Sequence, residues 1–143
     1  MSLSQARSYI NQRMPNVNSD LIEWTDAFND ENIPQTLIDN RYHIELGETT
    51  ITHDDNIVDK AMDITITMFK RAYNDTVGNR DALLDIGHCV VMDLVNPKNV
   101  ETFGGDLKNV EGSSITTEEI DVSNDNVIKM EVNMNFRLVY CAV

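Results

Sequence analysis

The chain is poor in the residues that punctuate or staple a fold: 143 residues hold only 2 cysteines, 3 prolines and 6 glycines. Two cysteines cannot build a disulfide framework, and Cys89 and Cys141 are expected to be free, small and mostly buried. So little proline and glycine leaves no flexible linker. No internal repeat or low-complexity tract divides the chain, so one domain over residues 1–143 is expected. Basic residues are also scarce. Eleven Lys plus Arg stand against 24 Asp plus Glu, a formal charge of −13 with a pI near 4.4, which argues against non-specific affinity for nucleic acid or anionic membranes. No apolar run approaches the roughly 18 residues of a membrane span, and the opening MSLSQARSYINQRMP has no apolar stretch, so neither a span nor a secretion signal is expected. Asn74-Asp75-Thr76 reads as a glycosylation acceptor only in a secreted chain.

What is present suffices for a core. Hydrophobic residues make up 41% of the chain, enough to bury roughly 70% of the surface an unfolded chain exposes. The acids are unevenly spread. Residues 20–59 carry eleven of them against the single base Arg41, residues 60–98 balance five against five, and residues 99–143 carry eight against three.

Periodicity predicts a helix over Ser4–Met14, capped by Ser2 or Ser4 and ended by Pro15, with Ala6, Tyr9, Ile10 and Met14 on one stripe. Residues Ser19–Phe28 suit a short helix or a strand, and Asn29–Asn40 reads as loop. Tyr42, Ile44 and Leu46 alternate with polar neighbours and predict a strand to about Thr52, turned at Asp54-Asp55-Asn56 into a second strand, Val58–Met68, broken in pattern only by Lys60. A helix is predicted over Gly78–Val95, with Ala82, Leu83, Ile86, Cys89, Val90 and Leu94 inward and Asn96-Pro97 stopping it. Residues 98–113 read as a long loop. The clearest pattern is Ile128, Met130, Val132, Met134, Phe136, Leu138 and Tyr140 at every second position, a strand with one core face and one wet face. Its partner is expected over Ser114–Val122. Met62, Met68, Met130 and Met134 fall on core faces as gap-fillers.

Together these predict an α+β two-layer sandwich: a mostly antiparallel sheet of four or more strands, in two long hairpins, with two main helices on one face. Strands of about 15 residues reach about 50 Å, whereas a compact chain of this size is only roughly 37 Å across. The hairpins must therefore bend or protrude, and protruding edges ask for a partner.

No catalytic, cofactor-binding or metal-binding set emerges. His43, His53 and His88 lack ligand spacing, and Cys89 points about 100° from His88 on a helix. The Asx-rich turns at 54–56 and 124–126 lack the glycine and glutamate of a calcium loop. Gly104-Gly105 lacks the lysine and hydroxyl of a phosphate loop, and Glu118-Glu119 on a strand point to opposite faces.

The order of elements, with Tyr42-His43-Ile44-Glu45-Leu46-Gly47, Ile64-Thr65-Ile66-Thr67-Met68-Phe69, Ala82-Leu83-Leu84-Asp85 and Asn126-Val127-Ile128-Lys129-Met130, resembles the tail terminator proteins of long, non-contractile-tailed bacteriophages, the lambda-type minor tail or tail-completion proteins. The resemblance spans nearly the whole chain. It implies a structural virion protein without catalysis: a ring, usually a hexamer, that caps the tail tube and joins it to the head connector or stopper protein. It places the protein in the tail or neck of the virion, and in host cytoplasm during assembly. Genome DNA would pass through without specific binding. On this reading Phe103, Gly104, Gly105 and Asp106 are a candidate inter-subunit loop, and Glu45, Glu48, Asp54, Asp55, Glu118, Glu119 and Asp121 are candidate acids of the lumen or its rims. The alternatives are another neck component, such as a head-completion or tail tube protein, a small enzyme, or an acidic DNA mimic that blocks a basic protein.

Overall fold

A computed structural model of the protein describes residues 2–24, 39–122 and 125–141. Within them the order is α1 (Ser2–Val17), β1 (Ile22–Glu23), β2 (Arg41–Asp54), β3 (Ile57–Arg71), α2 (Thr76–Val95), α3 (Pro97–Phe103), β4 (Leu107–Val122) and β5 (Asp125–Cys141). The strands form one sheet ordered β1-β2-β3-β5-β4. Only the β1–β2 pair is parallel, with Ile22 opposite Arg41, and the other pairs are antiparallel. This is the α+β sandwich expected from the patterning.

The alternation in β5 sets the layers. Ile128, Met130, Val132, Met134, Phe136 and Leu138 are at most 1% exposed. They meet Met62, Ile64, Ile66 and Met68 of β3 in a register unbroken from Ile57↔Cys141 to Arg71↔Val127. The intervening positions carry the polar face. There Thr65, Asn133 and Ser114 are hydrogen-bonded across three strands at 2.8 and 3.0 Å, and Arg137 pairs with Asp59 at 2.6 Å.

The helices cover the apolar face. Tyr9 of α1 is fully buried; its hydroxyl donates to the Leu94 carbonyl at 2.7 Å, and its ring stands edge-on to Phe103 and Phe136 with centroids 5.3 and 6.2 Å away. Burial, and after it the charge of Asp93, pushes the Tyr9 phenol up to about 12. Arg13 holds Asp93 with a two-pronged contact at 2.7 and 2.9 Å, tying α1 to α2. Gly87 of α2 permits the closest approach to β5, since a Cβ there would stand 2.7 Å from the Met130 sulfur.

Several expectations are corrected. The first helix begins at Ser2 and runs through Pro15 to Val17. Buried Met14 keeps that last turn on the core, and its carbonyl accepts from Asn18 N–H at 3.1 Å, so the helical bonding continues past the proline, which removes only the donor to the Asn11 carbonyl. The 98–113 loop is instead α3, a turn and the first half of β4, so β5's partner starts at Leu107 rather than Ser114. Asn96-Pro97 therefore starts a helix as well as stopping one: the Asn96 side chain accepts from Lys98 N–H at 3.0 Å. The second main helix starts at Thr76, capped by Asp75, which accepts from Gly78 N–H at 2.9 Å. It buries Leu83, Gly87, Val90 and Leu94, leaving Ala82 and Cys89 exposed. Cys141 is exposed too, so neither cysteine is a core residue. Of residues 19–28, Ile22–Glu23 form the short strand β1, while positions from 25, and the loop expected over 29–38, lie outside the described residues.

Candidate functional site

Among the described residues there is no cluster of three or more His, Cys, Asp or Glu placed to hold a metal. His43 sits on β2 with Nδ1 2.9 Å from the Trp24 carbonyl, His53 lies exposed near the end of β2, and His88 is exposed on α2. The features that offer chemistry to another molecule are the two edges of the sheet.

The first edge is β2. Strand β1 covers it only at Arg41 and Tyr42. Beyond that, the register slips between Leu46 and Thr49, so Gly47 and Glu48 form a bulge. One extra residue reverses the faces. Tyr42, Ile44 and Leu46 point to the helix side before the bulge; Thr49, Ile51 and His53, opposite Met62, Lys60 and Val58, do so after it. The helices do not reach this far. On the helix side Leu46 and Ile51 are 44% and 50% exposed, Val58 is buried, and the Lys60 ammonium lies over the Tyr140 ring at 5.3 Å rather than in the core. Thr49–Ile57 thus form an arm, turned at Asp55, whose φ is 53°.

The second edge is β4, which is bulged twice, at Lys108 and Ser113. At Gly112 the strand comes so close to α2 that a Cβ would lie 2.9 Å from Val91 Cγ1. Between α2 and β4 runs a groove of about 520 Å³ with Val91, Val95, Val110 and Ile115 in its wall, continued past Val95 by a hollow of about 290 Å³ beside Leu107 and Lys108. Sequence reasoning missed this groove, because it is made by a glycine, a bulge and valines from separate elements. The Gly112-Ser113 pair at a strand edge was its only trace.

The acids selected from the sequence do not form one patch. Glu48, Asp54 and Asp55 are exposed on the arm, and Glu45 lies on the polar face with a carboxylate oxygen 3.6 Å from His43 Nε2. Glu118, Glu119 and Asp121 occupy the far end of β4, at the opposite edge of the sheet. Glu118 and Glu119 point to opposite faces, one 3.8 Å from the Lys129 ammonium and the other 3.5 Å from the Arg80 guanidinium on α2. Phe103–Asp106 is not a loose loop. Gly104 and Gly105 take φ values of 71° and 59°, and Asp106 is bound twice to Gln5, its N–H donating to Oε1 at 3.0 Å and its carboxylate accepting from Nε2 at 2.8 Å. The turn is fastened to α1.

Comparison with protein-family models and with curated proteins finds no match to this chain.

Proposed function

We propose that the chain is a ring-forming structural subunit of the virion neck in a long, non-contractile-tailed phage: a tail terminator that caps the finished tube and joins it to the head connector or stopper. The observation that carries this reading is the pair of unlike edges on one sheet that no described residue pairs, the β2 arm with exposed Leu46 and Ile51 at one side and the β4 groove at the other. A subunit with two different edges facing opposite ways associates head to tail, and such association closes into a ring when the rotation permits. The order of elements, helix, hairpin, helix and hairpin, agrees with the resemblance to tail terminators, which also supplies the expected number of six. The work is contact rather than turnover. The charge of −13 per copy suits a channel that DNA crosses, since a wall without excess cations releases no counterions and does not hold the duplex.

The test is to add the purified chain to uncapped tail tubes and image the ends. A ring seated on one end, with tube growth halted, is expected. Bare ends, together with absence of the chain from purified particles, would contradict the proposal. An acidic mimic would instead be a monomer or dimer that captures a basic protein; its charge would be most useful on one surface, whereas the candidate acids occupy two edges of the sheet.

A further inference from the structure

Resting on the ring reading above, we infer that β2 of one copy docks along the first half of β4 in the next copy, with Leu46 level with Gly112 in the groove between α2 and β4 and Ile51 level with Leu107 at the hollow that continues it. The occupant of the groove is therefore a second copy of this chain. Three geometric matches converge on this pairing.

The first is height. Across the sheet Ile51 lies opposite Lys60, Lys60 opposite Leu138, and Leu138 opposite Leu107; the next row is Thr49, Met62, Phe136 and Val110. Copies rotated about an axis along the strands keep every row at its own level. Arm residues then meet the Leu107–Val110 stretch of the neighbour, beside the groove. The second match is facing. Leu46 and Ile51 project from the helix side of the sheet, and the groove opens on that side, walled by Val91 and Val95 of α2. The third is direction: β2 runs with β5 and against β4, so the new contact between β4 and a neighbour's β2 is antiparallel.

Local chemistry agrees. Thr49–Asp54 has no bulge, proline or lysine, the usual guards of a free edge. Across from it the groove walled by Val91, Val95 and Ile115 leaves room for an incoming aliphatic side chain. Lys98 and Lys108 are the exposed lysines among the described residues, neither is ion-paired to another described residue, and both lie at this end of the molecule. The arm offers Glu48, Asp54 and Asp55. Glu101 and Glu111 also stand at the rim, the latter accepting from the Asn109 amide at 3.0 Å. Docking against the other half of β4 would set the acidic arm against Glu118, Glu119 and Asp121, where like charges repel.

The experiment uses the full chain with Cys89 and Cys141 changed to serine, and two exposed-site variants: Ile51→Asp, which disables the arm, and Ser113→Arg, which blocks the groove. Each alone is expected to lose the ring in sedimentation. Mixed one to one, they should give a dimer and nothing larger, because only one intact arm and one intact groove remain per pair. Thermal unfolding close to that of the parent confirms that each variant folds. Should either fail that check, Ile51→Thr, which removes apolar reach and keeps a β-branched residue, is expected to weaken association about 4- to 10-fold. Rings formed equally well by parent, Ile51→Asp and Ser113→Arg, or an unchanged affinity in Ile51→Thr, would overturn the docking and leave the ring standing. A parent chain that forms no ring even at tube ends would overturn both.

Discussion

The hydroxyl of Tyr9 and the carbonyl of Leu94 meet at 2.7 Å, joining the N-terminal helix to the last turn of the central one. That carbonyl belongs to a helix end and has no intrahelical partner to fall back on. Tyr9→Phe leaves it unsatisfied in a buried site and is expected to cost about 1–3 kcal/mol, read as a lowered midpoint in denaturant at unchanged slope. An unchanged midpoint would mean that water replaces the hydroxyl.

Alkaline pH should destabilise the protein steeply. Tyr9 and Tyr42 are both pushed up to about 12, chiefly by burial, whereas an unfolded tyrosine ionises near 10. Folded pKa values above the unfolded ones mean that their contribution is whole below pH 10 and is lost as pH rises from 10 to 12. Unfolding curves across that window should show the loss, and Tyr9→Phe should flatten it.

Phe136 tests the core. It is fully buried beneath Tyr9, and Phe136→Ala is expected to cost roughly 3–5 kcal/mol. Thermal stability equal to the parent would contradict the assignment of that face.

Gly87 separates helix propensity from packing. Alanine gains about 1 kcal/mol in a helix interior, but its Cβ would press on Met130, which can give way because its side chain is flexible. Gly87→Ala should therefore be nearly neutral. Gly87→Val adds bulk that Met130 and Val132 cannot both yield to, and is expected to lose about 1–3 kcal/mol in the same melt.

Legibility followed regularity. Seven alternating positions in β5 announced the sheet, because that pattern repeats without interruption. Helix α3 did not show, since only Val100 is buried along it and one residue has no period. Its start was nevertheless written in Asn96-Pro97, an N-cap followed by a first-turn proline, which also serves as a stop and was read that way. The first half of β4 was hidden by bulges at Lys108 and Ser113 that break its alternation. On α2, apolarity placed Cys89 and Ala82 inward; the close approach at Gly87 turns the helix so that both face outward. The acids were visible, but their partition between two edges depends on strand order, which no local pattern carries.

The claim that copies of this chain close into a ring is tested most directly by the mass of the native protein over protomer concentrations from about 1 μM to 1 mM, with tail tubes added at the highest. The account predicts a discrete species of six 16.2 kDa chains, about 97 kDa, in solution or seated on tube ends. A 16.2 kDa monomer throughout, with bare tube ends, would contradict it.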